Sequence, residues 1–233
     1  MLEIARVKPE DYQVVIIQGS GTYGLESMLG SAIPKTNHHL CIFANGAYGV
    51  RMGSISKVLG INYTLIEIPE DQIFTPEFVL EHLKKHNDVT HVSIVHSETT
   101  SGIINPIEEI GSAIKSFNAK VVFMVDGISS FGPYIPDFYK ANIYYMAGSA
   151  NKCIQGVPGF AYVFCKKDHL ETIKGNERSV SLSLYDQWTY MKKTNQFRFT
   201  PPTHVIRAFY EAMKEFKEET AEGRFKRYSE NQK

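Results

Sequence analysis

Cysteine is scarce in this 233-residue chain: Cys41, Cys153 and Cys165 are odd in number, far apart and form no CxxC pair. That argues against a disulfide framework and for free thiols in a reducing compartment, the cytoplasm. Net charge is also missing, with 25 Lys and Arg against 25 Asp and Glu. A nucleic-acid binder needs a basic surface to neutralise phosphates, so that class loses its electrostatic case. No apolar run approaches the roughly 18 residues of a membrane-spanning helix. The opening residues Met1–Arg6 lead to a proline and two acids before any apolar core, so no secretory leader is expected. Internal repeats and low-complexity tracts are absent too. What is present is an ordinary globular composition, 43% hydrophobic, long enough to bury a sizeable core.

Short Val-, Ile- and Phe-rich runs alternate with helical patterns. Strands are expected over 14–17, 40–43, 63–68, 91–95, 120–125 and 142–147, with another at 159–165 closing the sheet by a hairpin. Helices are expected from the glycine-rich segment after residue 18 to about residue 30, and over 48–59, 76–86 and 107–117. Continuous apolar runs without period-two alternation mark strands covered on both faces, and this alternation of types predicts an α/β fold with a largely parallel sheet. After Trp188 the character changes. Residues 192–196 read as a polar loop, and Thr200-Pro201-Pro202-Thr203 interrupts regular structure. A helix from about His204 places Val205, Phe209, Ala212, Met213 and Phe216 on one stripe, with Lys214 and Glu218 spaced as an i,i+4 pair on the charged side. The charged stretch 222–233 is expected to fray.

Gly19-Ser20-Gly21-Thr22-Tyr23-Gly24 follows a strand and opens a helix, so its N–H groups and hydroxyls suit an anionic phosphate. A dinucleotide site would place an acid after the second strand, where this chain has Ala44-Asn45-Gly46; a compact phosphate fits better. Asp126 ends one strand, Glu98-Thr99-Thr100-Ser101 follows another, and Lys152 lies just beyond a third among small residues. Strand C-termini line the ligand crevice of an open parallel sheet. Together the rims offer a phosphate cup, a carboxylate, hydroxyls and an amine, a set that suits pyridoxal phosphate. Lys would attach the cofactor and Asp would keep its ring nitrogen protonated. Tyr48, opening the second helix, is placed to stack on the ring. His82 and His86 share a helical face but lack a third ligand and read as solvated; Cys153 reads as a packing residue. Arg51 is a tempting anion ligand, for which a structural role is favoured.

The segments GSGTYGLESMLGS (19–31), NGAYGVRM (45–52), HSETTSGIINPIEEIG (96–111), VDGISSFG (125–132), SANKCIQGVPGF (149–160), SLSLYDQW (181–188) and FRFTPPTH (197–204) resemble the class V pyridoxal-phosphate aminotransferases. They are most like the branch acting on 2-aminoethylphosphonate with pyruvate. The resemblance implies the aspartate aminotransferase-like fold (fold type I), ping-pong transfer of an amino group, and a homodimer with shared sites. It implies Lys152 as cofactor lysine and proton shuttle, Asp126 at the ring nitrogen and Tyr48 at the ring face. Ser20, Gly21 and Thr22 would hold the phosphate, Thr100 would lie by the ring hydroxyl, and Ile128 and Asn151 would line the pocket. Thr200 and Thr203 match a loop that completes the phosphate site from the neighbouring subunit. It also implies that residues 1–190 are the large domain, shortened at its N-terminus. Residues 191–233 would be a loop and linking helix toward a small domain not in this chain, which in the family carries the arginine gripping the substrate carboxylate. No residue here is assigned to that arginine. The alternatives are a class V enzyme for alanine or serine with glyoxylate or pyruvate, and a cofactor-binding chain that does not turn over.

Overall fold

The computed structural model describes residues 1–232. Seven strands form one sheet: β1 (Tyr12–Gln18), β2 (Leu40–Ala44), β3 (Tyr63–Glu67), β4 (His91–Val95), β5 (Val122–Asp126), β6 (Ile143–Ser149) and β7 (Phe160–Lys166). Their order is β1-β7-β6-β5-β4-β2-β3. From β6 to β3 every pair is parallel, whereas β7 is antiparallel to both β6 and β1. All strands except β7 therefore end at the same edge, and the β6–β7 connection, residues 150–159, turns there as well.

The helices are α1 (Gly21–Ala32), α2 (Ala47–Val58), α3 (Pro76–Lys85), α4 (Ile107–Phe117), the short α5 (Lys167–Leu170), α6 (Leu184–Thr194) and α7 (Thr203–Asn231). They cover both faces of the sheet. Alternate strand residues feed two separate cores: Cys41, Phe43, Phe123 and Val125 join α3, α4 and α7 on one side. Leu40, Ile42, Val122 and Met124 join α1, α2 and α6 on the other. That two-sided burial is why β2, β4 and β5 are fully buried, with β2 and the first four residues of β5 reading as unbroken apolar runs.

Local chemistry sets the helix starts. The Thr75 hydroxyl accepts a hydrogen bond from the Phe78 N–H at 3.2 Å, with Pro76 in the first turn. Ser183 caps α6 in the same way, accepting from the Asp186 N–H at 3.2 Å. Two expectations are corrected here. Residues 192–194 are helical rather than looped, because the Ser183 cap starts a helix that ends only at Asn195, whose φ of 56° is left-handed. Residues 222–231 are ordered in α7 rather than frayed, because Arg224 is 2% exposed and donates from Nη1 to the Cys153 carbonyl at 2.7 Å. Lys233 lies outside the described residues. The apolar stripe of α7 stands as expected, with Phe209, Ala212 and Phe216 buried and Val205 and Met213 packed against them. The ion pair does not: Lys214 reaches back to Glu211 at 3.0 Å rather than forward to Glu218, in keeping with the better Glu-before-Lys order.

Candidate active site

The site is built where the strands end. Asp126, the last residue of β5, is 2% exposed and accepts the Ile128 N–H at 2.9 Å. Burial pushes its carboxyl up to about 6; the Ile128 N–H opposes this, Glu98 adds to it, and Arg51 and Lys152 pull it down. Lys152 is half-buried in the β6–β7 connection, and its pull on Asp126 is the weakest of these influences. Its neighbour Asn151 is exposed and accepts the Ser149 hydroxyl at 2.7 Å.

On the other side of Asp126 stands the start of α1. Gly19, φ 117°, turns the chain out of β1, and a Cβ there would lie 2.6 Å from the Tyr23 ring. A Cβ on Gly21 would lie 2.8 Å from Ile128 Cδ1, so the first turn of α1 sits directly on the residue that follows Asp126. Ser20 is the N-cap, but its side chain makes no capping bond and is exposed. Its hydroxyl and the first amides of α1, including that of Thr22, lie at a positively polarised helix end.

The third rim is Glu98, which sequence reasoning passed over in favour of the hydroxyls beside it. Glu98 is fully buried; one carboxylate oxygen accepts the Thr100 hydroxyl at 2.8 Å and its N–H at 3.2 Å, and the other faces the Gly49 N–H at 3.4 Å. It ties exposed Thr100 to the first turn of α2, which carries Tyr48. The only signal in the sequence was an acid three residues past the end of β4, near the strand-end rim where Asp126 stands. Asn45, where a ribose-binding acid is lacking, joins Asn105 through two buried amide bonds of 3.0 and 3.1 Å and locks this rim. Tyr48 is half-buried, and the Arg51 guanidinium lies 4.4 Å from its ring centre.

The expected residues Ser20, Gly21, Thr22, Tyr48, Thr100, Asp126, Ile128, Asn151 and Lys152 therefore share one sheet edge. Thr200 is linked to that edge through its carbonyl, which accepts from Gln18 at the end of β1. Thr203 is exposed at the start of α7, with no side-chain bond to the others among the described residues. The small residues around Lys152 serve packing more than access: a Cβ on Gly148 would lie 2.2 Å from the Tyr162 ring. Cys153 packs as expected, its Sγ 3.3 Å from the Ser129 carbonyl and its thiol raised by burial. His82 and His86 do not meet: His82 Nδ1 bonds the Phe78 carbonyl at 2.8 Å, while the His86 ring packs edge-on against His39.

A family model, described as aminotransferase class-V, matches residues 7–231. A 2-aminoethylphosphonate–pyruvate transaminase of Bacteroides fragilis (strain YCH46) is 45% identical over 233 residues, covering 99% of this chain and 64% of the relative. A bifunctional phosphonoacetaldehyde hydrolase/aminoethylphosphonate transaminase of Clostridioides difficile (strain 630) is 43% identical, covering 100% of this chain and 36% of the relative. Among solved structures, pyridoxamine–pyruvate aminotransferase of Mesorhizobium loti superposes with a TM-score of 0.86 at 26% identity, over 97% of this chain and 57% of that one. Alanine–glyoxylate aminotransferase of Nostoc sp., at 19% identity and a TM-score of 0.87 over 99% of this chain and 60% of that one, shares the fold. The chain thus spans just under two thirds of the length of the Bacteroides relative. With nearly every residue inside the family match and relatives above 40% identity across it, the chain belongs to the class V aminotransferases.

Proposed function

We propose that this chain is the cofactor-binding part of a transaminase that moves the amino group of 2-aminoethylphosphonate to pyruvate, giving phosphonoacetaldehyde and alanine. The observation that carries the chemistry is the buried Asp126 carboxyl at the end of β5, on the same sheet edge as the β6–β7 connection bearing Lys152 and the start of α1. The names of the relatives carry the substrate class.

The residues present fit pyridoxal phosphate, the cofactor of the family. A carboxyl that alone keeps its proton up to about 6 would be held as a carboxylate by a protonated ring nitrogen beside it, which gives a buried acid a reason to be there. The uncapped α1 terminus, with the Ser20 hydroxyl unengaged, suits a phosphate. Ser20, Gly21 and Thr22 would hold that phosphate and Asp126 the ring nitrogen. Tyr48 would flank the ring, Thr100 would lie near its hydroxyl, and Ile128 and Asn151 would line the pocket. When bound, the cofactor supplies an electron sink that lets a proton leave the amine-bearing carbon. Lys152 would anchor the cofactor, and its free amine would act first as base and then as acid toward that proton. Glu98 holds Thr100 and the start of α2 in place. Thr200 and Thr203 are exposed, so in the proposed homodimer each copy offers them to the phosphate site of the other. The free thiols fit a cytoplasmic setting. No helix among the described residues is long and apolar enough to cross a membrane.

The test loads the purified chain with pyridoxal phosphate and supplies 2-aminoethylphosphonate and pyruvate. Alanine should form, and Lys152→Ala should abolish both turnover and the visible band of the attached cofactor. A normal band in that variant would overturn the role of Lys152. Alanine formation from other amines but not from the phosphonate would overturn the substrate class. A normal band without transfer from any amine would make the chain by itself a cofactor binder.

A further inference from the structure

On the side of the sheet opposite the strand ends, three side chains converge that the transamination reading does not use. His39 immediately precedes β2, His86 caps the C-terminus of α3, and Asp88 lies in the turn toward β4. One ligand atom from each falls within 4.8 Å of the other two. His39 is 8% exposed, and its Nδ1 is buried without a hydrogen-bond partner although Asp88 Oδ1 lies only 3.0 Å away. With a protonated His39 the two form an ion pair, and His39 is the main cause that holds the Asp88 carboxyl below the ordinary carboxylate range. With a neutral His39 the same nitrogen and oxygen, not aligned as donor and acceptor, are arranged as two ligands of a common centre are.

The other side of the His39 ring supports this. Nε2 contacts the Thr64 hydroxyl at 2.8 Å, a partner that can accept the Nε2 proton and leave a lone pair on Nδ1. A bond of this kind on the far ring nitrogen is the usual companion of a metal-binding histidine. The His86 ring stands edge-on to His39, with centres 5.5 Å apart at 84°, so the two rings do not stack and exclude an ion. His86 is half-buried and Asp88 exposed, and a tetrahedral ion would need all three ligand atoms at about 2 Å from it.

We propose that His39, His86 and Asp88 bind a zinc-type divalent cation, with water as fourth ligand, and thereby pin the end of α3 to the start of β2. Two imidazoles and one carboxylate favour zinc or its borderline-soft neighbours over magnesium, which takes oxygen ligands. The site lies at the opposite edge of the sheet from Asp126 and Lys152, so its metal stabilises the fold and takes no part in amino transfer.

Cobalt(II) titration of the 233-residue chain, loaded with pyridoxal phosphate, tests this. One equivalent should bind with the intense visible bands of a four-coordinate ion, and zinc(II), but not magnesium(II), should displace it. His86→Ala and Asp88→Asn, both at accessible positions, should each weaken zinc binding by more than about tenfold. They should also remove the rise in melting temperature that zinc confers, while alanine formation stays unchanged. Failure of cobalt to give such bands would overturn the proposal. So would undiminished binding in both variants, since the chain has other histidines among its 8.

Discussion

At the scale of single residues, Asp126 shows a group kept at a cost to the fold. Its carboxyl titrates near 6 in the folded chain, against about 3.9 for a free aspartate. Below the lower value both states are protonated and nothing is lost. As pH rises from about 4 to 6, the unfolded chain ionises freely while the folded one resists, so stability falls and then levels off. The difference is worth about 3 kcal/mol. Asp126→Asn keeps an oxygen for the Ile128 N–H and removes the charge. Without cofactor it should melt higher than the parent at pH 8, with the gap closing by pH 4, in thermal scans across that range. With cofactor the same variant should lose most of its transfer rate. Free thiols make a simpler forecast. Cys41 and Cys165 are buried, Cys153 is half-buried, and none is paired, so a thiol reductant should leave the melting temperature unchanged.

At the scale of elements, α7 invites two predictions. Thr220 interrupts it at φ 70°, ψ 165°, a region nearly reserved for glycine that costs a β-branched residue about 1–3 kcal/mol. Its hydroxyl offsets part of this by accepting the Gly223 N–H at 3.1 Å, capping the second half of the helix. Replacing a cap by glycine costs only a few tenths of a kcal/mol, so relief of strain wins. Thr220→Gly should stabilise the chain by about 1 kcal/mol, measured by denaturant unfolding. Beyond the break, Arg224 bonds Glu219 and the carbonyl of Cys153, the neighbour of Lys152. Arg224→Met removes both bonds and leaves that carbonyl without its charged donor. Amide exchange should then accelerate across 221–231 and in the 150–156 loop, with β4 and β5 unaffected. Glu219 is held down to about 2 chiefly by Arg227, then by Arg224; this clamp is intact above the usual carboxylate range and weakens as pH falls toward 2.

These elements also show what a sequence makes legible. Buried strands such as β2 and β5 were readable because a sheet covered on both faces leaves no polar residue to interrupt them. α4 matched its expected bounds because its apolar stripe is strong. α6 was missed because its surface is polar enough to resemble a loop; only the Ser183–Asp186 cap marked it. Asp126 and Lys152 were legible as chemically unusual residues at strand ends. Glu98 was not, since its importance lies in what it holds, namely Thr100 and the Gly49 N–H. The Lys214–Glu218 spacing was equally legible and misled, because spacing cannot say which of two acids a lysine will choose.

At the scale of the molecule, the sheet divides the labour. One edge gathers the groups proposed for amino transfer, and the other holds the His39, His86 and Asp88 cluster. Between them lie strands so enclosed that neither edge can shift without disturbing both cores. The strand order has a consequence in time as well as in space. β1 pairs only with β7, from Tyr12 against Lys166 to Gln18 against Phe160. A ribosome adding roughly 5–20 residues per second leaves β1 waiting on the order of 10 s or more for its partner. During that interval Val14-Val15-Ile16-Ile17 is an apolar edge open to any other strand. β1 is made long before its partner and zipped in late, and the nascent chain must be shielded from its neighbours until β7 emerges.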